Sequence, residues 1–147
     1  MGRKVCMILI LFLLSFIGVK LFNYFTYEFS HTGNTKYGDA LISPDGRYAA
    51  QMYFDNYGGA AGGVDVIVNI RDLENKSEEQ TVYFSDGKGS PLLQWQDSHH
   101  LEIQNYNNAV NRSVILKVPY EIYDEHGKAC KVFRVKKQLI CYDKDSY

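Results

Sequence analysis

The 147 residues leave room for one domain once a membrane segment is set aside, and a hydrophobic share of 46% with 14% aromatics excludes a disordered chain. The net charge of −1 conceals an asymmetry. Arg3, Lys4 and Lys20 are three of the 16 basic residues, while all 17 acidic residues lie from Glu28 onward, so the remaining 13 basic residues leave the later part near −4. That balance excludes a nucleic-acid partner held by phosphate neutralisation.

The first element in chain order is an apolar helix. Residues 5–19 carry no charge, and with Leu21, Phe22, Tyr24 and Phe25 beyond Lys20 the apolar reach approaches the ~20 residues that a bilayer requires. Arg3 and Lys4 precede it, and the positive-inside bias then predicts residues 1–4 in the cytoplasm, 5–27 as a transmembrane anchor and the rest outside. Lys20 can snorkel to the head groups, and Tyr24, Phe25 and Tyr27 suit an interfacial aromatic belt. A cleaved signal peptide would want small residues at its −3 and −1 positions; Gly18 is small, but Phe16 stands two before it. The expectation is therefore an uncleaved, single-pass cell-membrane protein. Cys6 lacks the small-residue box that precedes a lipoprotein cysteine and reads as an inert thiol.

Residues 28–39, EFSHTGNTKYGD, are polar and turn-rich and read as a tether to an extracytoplasmic β-rich domain over 40–147. Ser43-Pro44-Asp45-Gly46 predicts a turn. After it Tyr48, Ala50, Met52 and Phe54 alternate with Arg47, Ala49, Gln51 and Tyr53, the pattern of a strand buried on one face. Val64, Val66, Val68 and Ile70 repeat the alternation, and Leu73-Glu74-Asn75-Lys76 reads as a polar turn. Short apolar runs at 81–84, 92–95, 101–103 and 114–118 follow, bounded by clusters such as SDGKGS and NYNNAVN. This spacing predicts an all-β fold, a small antiparallel sandwich or curled meander preceded by one transmembrane α-helix.

The C-terminal stretch is two-sided. Ala129, Val132, Phe133 and Leu139 fit a helical stripe, whereas residues 132–135 also suit a strand, which is the expectation taken. In one continuous helix Cys130 and Cys141 would lie about 16 Å apart along the axis. A hairpin would set them opposite each other, although no Gly, Pro, Asn or Asp lies between them to turn it. A disulfide and two separate buried thiols both stay open.

Ser43-Pro44-Asp45-Gly46-Arg47-Tyr48, with Trp95-Gln96-Asp97, Leu101 and Ile103, resembles the blade turns of TolB-type β-propellers. The likeness covers a strand-turn-strand idiom in a chain too short for the roughly four blades a propeller needs. Together SPDGRY, YGGAAGGV over 57–64 and YFSDGK over 83–88 resemble a Bacillus-type family of small membrane-anchored proteins of unknown function. That resemblance spans most of the outer domain and implies the topology but no activity, ligand or catalytic residue.

YGGAAGGV could offer backbone N–H groups to an anion, so Tyr57, Gly58, Gly59, Gly62 and Gly63 form a candidate binding loop. A valine-rich strand follows it instead of a helix, with no Lys-Ser/Thr pair, and a hairpin turn explains it equally. His99 and His100 are adjacent and point to opposite faces of a strand, His31 and His126 lie in polar turns, and no DxDxDG run appears, so no metal or cofactor is expected. GxSxG, HExxH and Cys-His signatures are absent, which leaves no catalytic candidate. Glu78-Glu79 and Asp124-Glu125 read as solvated carboxylates. Lys128, Lys131, Arg134, Lys136 and Lys137 form a basic patch that a solvated face or contact with anionic lipid or wall polymer would explain. Tyr53, Tyr57, Tyr83 and Tyr106 suit an aromatic binding face or sheet packing. Asn75-Lys76-Ser77 and Asn111-Arg112-Ser113 match glycosylation sequons. The chain thus reads as a non-enzymatic binding or envelope-associated module tethered through its helix, its protein or envelope partner unspecified. The alternatives are an extracytoplasmic hydrolase whose scattered Asp or His side chains converge, and an accessory subunit of a membrane complex.

Overall fold

The computed structural model describes residues 2–59, 62–75 and 77–142. Ala60, Ala61, Lys76 and the end of the expected domain, 143–147, lie outside the described residues, as do the side chains of Arg3 and Lys4 on which the expected orientation rests. Helix α1 (Gly2–Thr26) is apolar around its whole circumference, and its side chains are exposed over residues 5–26. Its 22-residue stretch Val5–Thr26 is long and apolar enough to cross a membrane. At 1.5 Å per residue it reaches about 33 Å, against a hydrocarbon core of about 30 Å.

A four-strand antiparallel meander follows: β1 (Thr35–Ile42), β2 (Tyr48–Tyr57), β3 (Gly63–Asp72) and β4 (Gln80–Asp86). The turn before β2 forms as its residues dictate. Ser43 Oγ donates to Asp45 Oδ1 at 2.6 Å and accepts the Tyr48 N–H at 2.9 Å, while Gly46 takes φ +76°. The chain then crosses to a three-strand antiparallel sheet, β5 (Leu92–Trp95), β6 (His100–Gln104) and β7 (Val114–Lys117). It returns as β8 (Glu121–Asp124), passes through a 3₁₀ turn (Ala129–Lys131) and helix α2 (Phe133–Gln138), and ends in β9 (Ile140–Cys141). The large sheet has the order β1-β2-β3-β4-β8-β9, and β8 runs parallel to both its neighbours.

The main core lies between the two sheets. Met52, Val68 and Tyr83, aligned across β2, β3 and β4, meet Leu101, Ile103, Val114 and Leu116 of the small sheet. A register shift between Val68 and Asn69 leaves Val82 without a cross-strand partner, so Val82 and Tyr83 both join this core and the parity of β4 changes. A second cluster covers the opposite face of the large sheet, where Phe29, Ile122, Ala129, Val132 and Val135 pack with Phe84.

The helix-then-β order is as expected, but the architecture departs from an antiparallel sandwich or curled meander: the sheets are open, β8 pairs in parallel, and α2 occupies part of the stretch expected as strand. The reason is tertiary. Ala129, Val132 and Val135 recur at helical spacing and all enter the second cluster, while Arg134, Lys136 and Lys137 stay exposed. Both faces of β2 are buried, Ala49, Gln51 and Tyr53 on one side and Ala50 and Met52 on the other. Residues 28–39, read as a tether, contain the buried Phe29 and the start of β1. The His31 backbone N–H donates to Thr81 Oγ1 at 2.8 Å, and Asn69 Nδ2 donates to the His31 carbonyl at 3.2 Å, so this segment is seated on the sheet.

Candidate functional site

Two of the sequence's glycine-rich motifs meet in space. Antiparallel pairing aligns Asp65 with Asp86 and Val66 with Ser85, which brings Gly62 and Gly63 beside Gly87 and Gly89. A cleft of about 550 Å³ opens between them, lined by Phe54, Val64, Val66, Lys88 and Pro91 along with Tyr57, Gly62, Gly63, Gly87 and Gly89. Gly58 and Gly89 adopt φ of +72° and +67°, and the Gly87 N–H donates to the Val64 carbonyl at 2.6 Å. Tyr57 lies across Gly63, where a side chain would strike its ring, and its hydroxyl donates to Asp86 Oδ1 at 3.1 Å.

A second glycine is tighter. A Cβ on Gly62 would collide with the Tyr57 carbonyl oxygen and approach the Gly58 carbonyl carbon to 2.9 Å, whereas nothing lies within 4 Å of a Cβ on Gly59. Gly62→Ala is therefore expected to cost about 1–3 kcal/mol, because backbone atoms cannot swing aside. Gly59→Ala is expected to stay within about 0.5 kcal/mol. Urea unfolding followed by Trp95 fluorescence checks the pair, and equal effects would contradict this turn geometry.

Behind the cleft lies a polar tie. The fully buried Asn105 side chain donates through Nδ2 to Tyr83 Oη at 2.8 Å and to the Asp86 carbonyl at 3.0 Å, and its Oδ1 accepts the Lys88 N–H at 2.6 Å. Tyr83 in turn donates to the Arg112 carbonyl at 3.0 Å, and burial pushes its phenol up to about 12. Glu125 Oε2 accepts from Ser85 Oγ and from the Asp86 N–H, each at 2.8 Å, while Oε1 accepts from Arg112 Nε at 2.6 Å and pairs with its Nη2. Burial pushes the Glu125 carboxyl up, but these donors outweigh it and hold it below its ordinary range. The Lys88 ammonium, paired with Asp86, likewise holds the Asp86 carboxyl down.

Asp55, Asp65 and Asp86 face one another across β2, β3 and β4, an arrangement that like-charge repulsion disfavours. Burial, then Asp86, pushes the Asp65 carboxyl up. A raised carboxyl favours folding most when protonated, and that contribution is lost as pH rises through its folded value. Asp65→Asn is thus expected to gain about 0.5 kcal/mol at neutral pH and nothing in acid. Denaturation at both pH values measures this, and destabilisation at neutral pH would reveal an attractive role for the carboxylate.

Of the residues singled out in the sequence, Tyr57, Gly58, Gly62 and Gly63 border or shape the cleft, and Gly59 belongs to the same turn. Cys130 and Cys141 are joined, their Cα atoms 5.8 Å apart. The bridge closes around α2 without a hairpin, because the helix spans only Phe133–Gln138 and both cysteines lie outside it. Tyr53, Tyr57, Tyr83 and Tyr106 do not form one aromatic face: Tyr83 is buried between the sheets, Tyr53 is covered on the opposite face, and Tyr57 and Tyr106 are exposed. His31 is no solvent group, for its ring stacks on Phe84 at 4.1 Å and burial lowers its pKa. Asp124 and Glu125 are likewise not a free pair. Asp124 accepts the His126 and Ala129 N–H groups at 3.0 and 2.7 Å, and Glu125 holds the tie described above. Sequence reading missed Asn105 and the inward turn of Arg112, since only the pairing of distant loops creates their partners. No group of three His, Cys, Asp or Glu among the described residues could hold a metal ion.

No curated protein and no solved structure matches the chain. Residues 2–127, which span α1 and every strand except β9, match the model of a family of unknown function, DUF5412. The chain belongs to that family.

Proposed function

We propose that this chain is a single-pass, membrane-tethered binding module without catalytic activity, its N-terminus cytoplasmic and its β domain outside, and that the glycine-lined cleft receives its partner. The observation that carries this reading is the state of the charges at the cleft. A general acid or base works best with a pKa near the operating pH, but Asp86 and Glu125 are both held low and are both occupied by cations and N–H donors. Such groups fix the shape of a recognition surface and are poorly placed to move protons. The disulfide supports the exterior placement, because bridges persist in oxidising compartments.

Two measurements test the two halves. Thiol labelling from outside intact cells is expected to reach Cys130 and Cys141 only after reduction, with the protein retained in the membrane fraction. Recovery of the domain from the medium, or labelling only after permeabilisation, would contradict the topology. A photo-crosslinking residue replacing Asn56 in the cleft is expected to give a discrete adduct in membranes, and the same probe replacing the distant Tyr120 is not. Indistinguishable adduct patterns would remove the cleft as the binding site.

A further inference from the structure

A second pocket lies where α1 meets the domain. Lys20, Asn23, Tyr24 and Tyr27 occur at i, i+3, i+4 and i+7 and therefore share one helix face, which stands against Lys128, Lys131 and Val132 around a space of about 490 Å³. Three lysines line this space and no acidic residue does. Among the described residues none of the three is in an ion pair, whereas the neighbouring Arg134 is neutralised by Glu28 at 2.6 Å. Lys128 sits 4.8 Å over the Tyr27 ring, and Asp124 fixes the start of the 3₁₀ turn that carries Lys131. Lys128 and Lys131 thus stand beside the helix face that carries Lys20, whose ammonium lies 5.4 Å from the centroid of the Phe16 ring one turn earlier.

The level of the pocket points to its occupant. Lys20 lies 15 residues beyond Val5, about 23 Å along the helix, and Tyr27 lies about 33 Å along, so the pocket spans the far edge of a ~30 Å hydrocarbon core and the head-group layer above it. Phe133, exposed at the start of α2, packs on Phe25 with ring centroids 5.7 Å apart and adds an apolar contact at the same level. We infer that Lys20, Lys128 and Lys131 bind the phosphate of an anionic phospholipid whose acyl chains lie along α1. This lipid site clamps the domain against the bilayer surface in one orientation. It rests on the membrane-spanning reading of α1 and is independent of the glycine-lined cleft.

The test uses the full chain, extracted from membranes in mild detergent and titrated with phosphatidylglycerol or phosphatidylcholine of matched acyl chains. Retained lipid is counted by native mass spectrometry. Preferential retention of phosphatidylglycerol is expected, falling about five-fold for each lysine removed and further in Lys128→Gln/Lys131→Gln. Lys20→Gln gives the same loss from the helix side without touching the domain. Lys136→Gln/Lys137→Gln removes equal charge from α2 outside the pocket and is expected to retain the lipid. Equal retention of the two lipids, equal losses in pocket and α2 variants, or displacement of the lipid by millimolar inorganic phosphate would each overturn the assignment, the last by making the site one for free phosphate. Carbonate extraction of the same variants is expected to leave them in the membrane pellet, and release of the parent chain would instead contradict the anchor.

Discussion

Glu125→Ala is expected to lower the unfolding free energy of the domain by about 3 kcal/mol, more than any other single carboxylate replacement. Glu125 and Arg112 are each about four-fifths buried, at 20% and 18% side-chain exposure, and Arg112 Nη1 already lacks a hydrogen-bond partner. Removing the carboxylate would leave the guanidinium without its counter-charge, deprive the Asp86 N–H of its acceptor and leave Ser85 Oγ only the Asp86 carbonyl at 3.2 Å. The Asp86 end of β4 and the loop carrying Arg112 would then separate, opening the cleft from behind. Glu125→Gln preserves an acceptor and should cost less. Because the carboxyl is held below its unfolded value, its stabilisation is present above the ordinary glutamate range and disappears as pH falls through the folded value. The parent should therefore lose stability in acid more steeply than Glu125→Gln. Urea unfolding read through Trp95, which donates to the Leu41 carbonyl across the two sheets, measures both effects. A loss below about 0.5 kcal/mol for the alanine variant would mean that the pair does not organise this end of the domain.

The same pair marks the boundary of what the sequence makes legible. The alternation of β2 and β3 and the Ser-Pro-Asp-Gly turn are local, because side-chain parity and turn chemistry are set within a few residues. The second covered face of the large sheet is not local. Gln51 and Asn69 look like outward polar positions, yet Gln51 satisfies itself on the carbonyls of Tyr37 and Gly38, and Asn69 on the segment after α1. β1 was hidden because its residues are all exposed, so Tyr37, Leu41 and Ile42 produce no one-sided pattern. At the cleft each glycine motif is visible alone, but their meeting depends on the β3–β4 register. Glu125 belongs to a third loop, brought beside β4 by the parallel return of β8. Its neighbours in sequence, Asp124 and His126, make it resemble a solvated turn residue, and only the topology supplies Arg112 and Ser85.

Cys130→Ser/Cys141→Ser is expected to destabilise the parent domain by about 2–3 kcal/mol, the chain-entropy value for a loop of this length. The segment it closes has little else to hold it. A six-residue helix is far below the length at which a helix is stable alone, and β9 contributes two residues at the sheet edge. What they cover is substantial, since Val132 and Val135 pack on Phe29 and Ile122 in the second cluster. Loss of the bridge should therefore loosen this cover first and expose Ile122, leaving the core between the sheets intact. Amide exchange is expected to accelerate in 129–142 and in β8, with little change in β2 and β3. Uniform acceleration across all strands would instead make the bridge a global constraint. Because Lys131 lies in the loosened segment and Lys128 adjoins it, the serine variant should also retain less phosphatidylglycerol than the parent while remaining in the membrane, which links the covalent closure of the C-terminal cover to the orientation of the domain on the bilayer.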